Sequence, residues 1–233
     1  PEFGNSLQQA TLSLSAVDTP IQQGLQRAKT YMDRLSEKKS EGEEVSTGNI
    51  WQIHDKYIVS QINSGLVIID QHVAHERVLF EDALNAFEKA PLGAQTLLFP
   101  ETLEFSADEF SVLLDILPNL NKLGFRMQEF GKNTVMVEAI PSEMVWGNEK
   151  TIIRDIMDSY LENKKKYSSW QEGLAASYSC HAAVKAGDPL TIQEMQALVN
   201  RLFATNHPYY CPHGRPIIVQ LSIEELDKRF ERI

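Results

Sequence analysis

The chain has 233 residues, 42% of them hydrophobic and 23% charged, the balance of an ordinary globular protein with one or two domains and a substantial core. Its 22 basic and 32 acidic residues give a formal net charge of -10, which excludes a generally basic nucleic-acid-binding surface. Any such role then rests on metal ions, a local basic patch or another part of the protein. No apolar run is long enough to span a bilayer, no secretory signal is visible, and two cysteines are too few for a disulfide scaffold, which points to a reducing compartment.

In chain order, PEFGNS reads as a cloning scar, and the polar residues up to about 46, ending in SEKKSEGEEVS, read as a linker. Within it, Ile21, Leu25, Ala28, Met32 and Leu35 recur at helical spacing and predict one amphipathic helix. Ordered structure is expected from Ile50. NIWQIHDKYIVSQI and GLVIID are strand-like, with Asn63-Ser64-Gly65 as the hairpin turn between them. After Asp70 the period changes: Val73, Val78, Leu79, Ala83, Ala86 and Phe87 predict a helix that ends before Pro91.

Residues 92–167 carry their own elements. TLLFPETLEFS is extended, and Ser106 caps a helix to about Leu123 that Pro118 should break or kink. FRMQEF and TVMVEAIP flank the turn GKN as two strands, and Thr151–Asn163 is a further amphipathic helix before the polar, basic connection KKKYSSW. The last block begins with a helix over Trp170–Ala186, closed by Gly187. A Thr191-capped helix to Ala204, the strand IIVQLS and the terminal helix IEELDKRFERI follow. Polar motifs crowd the first and last blocks, which suggests one domain built from both ends of the chain with a smaller α/β lobe inserted.

Three segments carry chemistry. In DQHVAHERVLFE (70–81), Asp70 closes a strand while His72 and Glu76, four apart, share a helix face about 6 Å apart. Glu81 is rotated about 140° from Glu76 and joins them only if the helix bends; otherwise it supports them. Asp, His and Glu together suit a divalent metal, but acidic groups at a helix start are also expected from the macrodipole alone. His75, off the His72 face, reads as solvated, and His54 and His207 as structural or exposed. CPHGRP (211–216) sets a thiolate and an imidazole, Cys211 and His213, on one tight turn, a pair that suits zinc but cannot complete a site alone. In SCHAAVKAGD (179–188), Cys180 and His181 are adjacent on a helix, so at most one of them faces a site.

These segments and the terminal FERI resemble, in order, the motifs of the C-terminal domain of bacterial mismatch-repair MutL proteins that carry an endonuclease. Asp70, Gln71, His72, Glu76 and Glu81 match the family's first motif, with Val73 where Ala is usual. CPHGRP matches unchanged and Phe230-Glu231-Arg232 matches its ending, while Ser179 and His181 depart from the usual Ala-Cys-Arg. The resemblance implies an α+β fold with a composite dimerisation subdomain (47–91 and 168–233) and an inserted external, regulatory subdomain (92–167). It implies a metal-dependent nick in duplex DNA by Asp70, His72, Glu76 and Glu81, with metal ligands Asp70, His72, Glu76, Cys180, Cys211 and His213. Arg232 would support the site or the dimer. Mn2+ would be catalytic and Zn2+ structural or regulatory, with no ATP site in this chain. The implied partners are a second copy, duplex DNA bound weakly, the mismatch-recognition protein MutS through the full-length protein, and the replicative sliding clamp. The last would dock on QTLLFP through Gln95, Leu98, Phe99 and Pro100. The implied setting is the bacterial cytoplasm, associated with the nucleoid. The other reading of the same residues is a dimerisation and docking module with a non-catalytic zinc.

Overall fold

The computed structural model describes residues 50–144, 149–163, 167 and 169–232. The helix expected over residues 21–35, the linker around it and most of KKKYSSW lie outside the described residues. The fold is α+β. One antiparallel sheet has the order β1-β2-β3-β7, from β1 (Ile50–Ile53), β2 (Tyr57–Ile62), β3 (Gly65–Asp70) and β7 (Ile218–Ser222). A second has the order β4-β6-β5, from β4 (Ala94–Glu104), β5 (Arg126–Glu129) and β6 (Thr134–Pro141). Six helices accompany them among the described residues: α1 (Gln71–Glu88), α2 (Ala107–Lys122), α3 (Glu149–Asn163), α4 (Trp170–Ala182), α5 (Ile192–Phe203) and α6 (Ile223–Arg229).

The first strand-like run is two strands rather than one. His54 and Asp55 both take positive φ, +52° and +49°, and Lys56 N donates to Ile53 O, a tight turn within the three-residue loop between the paired Ile53 and Tyr57. No glycine marks that turn, so the pattern ran through it. The next hairpin is the one Asn63-Ser64-Gly65 announces, with Ile62 opposite Gly65.

Alternation along these strands sorts the first sheet into two faces. Ile58, Ile69 and Ile218 pair across three strands and turn inward with Ile50, Ile62 and Val67 onto α1 and α5. The opposite face carries the cross-strand row Trp51, Val59, Ile68 and Val219, flanked by Leu66 opposite Leu221 and by Ile53 opposite Tyr57. Trp51, Ile53, Tyr57 and Val219 are exposed there.

Two apolar cores meet on α1. Val73, Ala74 and Val78 face the first sheet, whereas Leu79, Phe80 and Ala83 join the larger core of the second sheet, α2, α3 and α4. A helix packed on both sides buries what its sequence suggests is solvated: His75, Glu76, Arg77 and Glu81 are all buried. Pro118 sits inside α2 without ending it. The lost N–H removes one helical bond, and Leu113, Ile116 and Leu120, all buried, hold both sides of the break against the core. α4 stops at Ala182, four residues before the expected end. Ala183 is extended, which lets the chain turn back across the start of α1.

Candidate metal centre

The start of α1 is organised by its first three residues. Asp70 is the N-cap, its Oδ1 accepting from Val73 N at 3.1 Å. Gln71 is fully buried and donates to the carbonyls of Asp55, Lys185 and Asp188 while accepting from Gln52, which ties the segment after α4 to the strand turn. His72 and His75 then hold the backbone of one residue, Val184, at its carbonyl and its N–H. His72 Nδ1 lies 2.8 Å from Val184 O, and Val184 N donates to His75 Nδ1 at 3.0 Å. A carbonyl can only accept, so His72 carries a proton on Nδ1, which leaves Nε2 as the ring nitrogen through which a neutral His72 would bind a metal.

One turn on, Glu76 meets the two distant motifs. Cys180 Sγ in the last turn of α4 donates to Glu76 Oε1 at 3.0 Å, and His213 Nδ1 lies 2.8 Å from the same oxygen. One ligand atom from each of Glu76, Cys180 and His213 falls within 4.8 Å of the other two. Cys211 is buried behind them, its sulfur accepting from the backbone N–H of His213 and Arg215 at 3.3 and 3.4 Å. The tight turn itself is closed by Gly214 N to Cys211 O and Cys211 N to Arg215 O, with Gly214 at φ +79°.

The charges are strongly coupled. Burial opposes ionisation of Glu76, yet hydrogen bonds from His213 and Cys180 overcome it and hold the carboxyl below its usual range. Cys180, Cys211 and Glu76 hold the His213 imidazole well above its ordinary value, while burial pushes the Cys180 thiol up. The surroundings thus favour the carboxylate form of Glu76, the protonated form of His213 and the thiol form of Cys180. A thiol, an imidazole and a carboxylate converging on one point is a donor set that fits zinc, and the carboxylate oxygens also fit manganese.

The remaining predicted residues sit as follows. Glu81 does not reach the cluster; it accepts from Asn206 N, Asn206 Nδ2 and His207 N at 2.8, 3.0 and 3.3 Å. Asp70 and His72 stand at the mouth of the same helix but outside the three-residue group, with His72 close enough to favour Glu76 ionisation. His75 is buried rather than solvated, its Nε2 bonded to Glu143 at 2.9 Å, because the segment after β6 closes over α1. His181 turns away from the cluster to Ser159. Arg232 is exposed and makes its contacts within the last turn, to Asp227 and over the Phe230 ring. In QTLLFP the ladder to β6 shifts register between Thr96 and Glu101, which leaves Leu98 80% and Phe99 77% exposed. Pro100 is exposed beside them, whereas Gln95 is turned inward onto the carbonyls of Pro141 and Met144.

Two groups near the site carry no motif. Arg77 is buried next to Glu76, and its Nε donates to Tyr210 O at 2.8 Å. Tyr167 has a buried hydroxyl without a hydrogen-bond partner among the described residues, and it interacts electrostatically with His213, Cys180, Glu76 and Cys211. Arg77 directly follows a candidate ligand on a helix, which is the one signal that points to it. Nothing in the pattern around Tyr167 does.

Residues 50–190 match the family model described as the MutL C terminal dimerisation domain. The match includes Glu76 and Cys180 and ends before Cys211 and His213. Three proteins named DNA mismatch repair protein MutL are similar over 184 to 188 residues. That of Chlorobium chlorochromatii is 49% identical over 78% of this chain and 29% of its own length. Those of Chlorobium phaeobacteroides and Prosthecochloris aestuarii are 47% and 45% identical over 78% and 80% of this chain, each over 30% of its own length. The chain thus spans under a third of the curated relatives it matches.

Proposed function

Because the chain belongs to the MutL C-terminal dimerisation domain family, we propose that it is the dimer-forming, metal-dependent nicking domain of a DNA mismatch repair protein. The observation that carries the reading is the convergence of Glu76, Cys180 and His213, from three distant segments, to within 4.8 Å. Glu76, His213 and Cys211 form the inner shell with Asp70 and His72 from the start of α1, and Cys180 supports it. Zn2+ suits the sulfur and imidazole donors in a structural or regulatory role, and Mn2+ the oxygen-rich side in catalysis. A bound divalent ion supplies an activated water and neutralises charge on the phosphodiester. The residues themselves do three things. Glu76 supplies the negative charge that draws a cation, His72 is held through Nδ1 so that Nε2 is left for a ligand role, and the Cys211 turn sets the imidazole of His213 against the helix.

The sheet face bearing Trp51, Ile53, Tyr57 and Val219 supports homodimerisation, since no described element covers it and apolar faces of that kind mark association surfaces. On this reading Val219→Glu gives a monomer by light scattering, and a dimer unchanged at micromolar concentration would refute that face. The division into residues 47–91 with 168–233, and an inserted 92–167, belongs to the same proposal. It puts the exposed Leu98 and Phe99, with Pro100, on the inserted unit as the sliding-clamp contact. Gln95 holds the base of that loop. With a net charge of -10, binding of duplex DNA by this chain alone is weak, and contact with MutS runs through the full-length protein.

The experiment is a plasmid-nicking assay in Mn2+ comparing the chain with Asp70→Asn and Glu76→Lys. Loss of nicking in both variants supports catalysis. Wild-type protein that binds metal and cuts nothing favours the second reading, a docking module with a non-catalytic zinc.

A further inference from the structure

Glu81 belongs to the same sequence motif as Glu76, yet it points to a different part of the molecule. Five helical positions rotate it about 140° away on an ideal helix, and its oxygens are bonded to residues 206 and 207 instead of joining the cluster. Its two oxygens take three N–H donors from residues 206 and 207 at 2.8, 3.0 and 3.3 Å, and its remaining neighbour is Arg77 Nη1 at 3.6 Å. Arg77 in turn donates from Nε to Tyr210 O at 2.8 Å and lies 5.4 Å from the ring centres of both Phe80 and Tyr210. The two side chains are 5% and 10% exposed, so these bonds are shielded from water.

The two contacts fall at opposite ends of residues 206–210, the stretch that leads directly into Cys211 and His213. The turn after it keeps its own shape through the backbone bonds between Cys211, Gly214 and Arg215, and through Ile217 N to Tyr209 O. Downstream, Asp70 N to Ile217 O ties the turn to the start of α1; what none of these bonds sets is the distance from α1 to the upstream stretch, residues 206–210. We infer that Arg77 and Glu81 are positioning residues, a two-point staple that holds Cys211 and His213 at the right distance from Glu76, and that Glu81 is not itself a metal ligand. This rests on the proposed metal site. It assigns Glu81 to metal affinity rather than to chemistry at phosphate.

Conservative and truncating variants separate the two roles. Gln at position 81 keeps an acceptor oxygen for the two Asn206 donors, gives up only the longer bond from His207 N, and lacks the charge a ligand needs; Ala keeps no acceptor. Co2+ binding is measured by competition with a chromophoric chelator, and the thiolate-to-cobalt absorption reports whether sulfur is in the shell. The staple predicts that Glu81→Gln binds Co2+ within about threefold of wild type with the same spectrum. It predicts that Glu81→Ala and Arg77→Met lose about 10–100-fold, the range for groups that orient ligands. Asn206→Ala, which removes one of the three donors at an exposed position, loses a few-fold and guards against a core variant that fails to fold. Equal weakening by Glu81→Gln and Glu81→Ala, or no weakening by any variant, overturns the staple. Wild-type protein that binds no Co2+ instead overturns the metal site beneath it.

Discussion

His75 and Glu76 are neighbours on α1, yet they enter clusters of opposite design. On one side, His75 Nε2 and Arg201 Nη1 take the two oxygens of Glu143 at 2.9 and 2.8 Å, and Arg201 Nη2 takes Asp82 at 2.8 Å. Every charge there has a fixed partner of the other sign. On the other side, one oxygen of Glu76 faces both a thiol and an imidazole, with a second sulfur behind them. Those groups are rich in lone pairs and are held together by exchangeable protons. A cluster matched by a permanent guanidinium is closed, whereas one matched only by protons is open to any cation that can displace them.

The largest effect expected from this contrast is on metal binding. Glu76→Ala should lower Zn2+ affinity by more than about 100-fold, beyond the usual effect of losing a group that merely orients a ligand, while Glu143→Ala leaves the stoichiometry by elemental analysis unchanged. Equal losses in the two variants would erase the distinction. A smaller effect is expected on stability. His75→Leu strips Val184 N and Glu143 of a buried partner and should cost about 1–3 kcal/mol in urea unfolding without metal. The smallest is a change of pH slope. Burial opposes ionisation of Glu143, but His75 and Arg201 hold its carboxyl below the ordinary value of 4.5. Its contribution is therefore complete above that value and is lost as pH falls through the lower, folded one. Glu143→Gln should be less stable than wild type at pH 7 and lose less of its stability between pH 4.5 and 3; parallel acid profiles would show that Glu143 carries no folded-state charge pairing.

Much of this was legible in the sequence because the cues are local. Asp70 at the close of an apolar strand, Asn63-Ser64-Gly65 as a turn and the strand character of YIVSQI and GLVIID need no distant partner to be read. The His54-Asp55 turn escaped because left-handed backbone is usually announced by Gly or Asn, and neither is there. The burial of His75, Arg77 and Glu81 escaped for a different reason. A charged helix reads as half-solvated until the segments at 143, 184 and 206–210 are known to close over it, and those lie 68 or more positions away from His75. Tyr167 is known only from where its hydroxyl ends up.

The bulge in β4 has a consequence for how its tip is recognised. β4 is the edge of its sheet, and an apolar Leu-Leu-Phe run on a flat edge would template pairing with another chain. Here residues 97–100 fall between the two paired stretches, and Pro100 has no N–H to offer. Leu97 is folded under, while Leu98 and Phe99 stand out as knobs. Residues 97–100 therefore offer no regular ladder for strand addition, and a protein that grips this tip does so with pockets for two side chains.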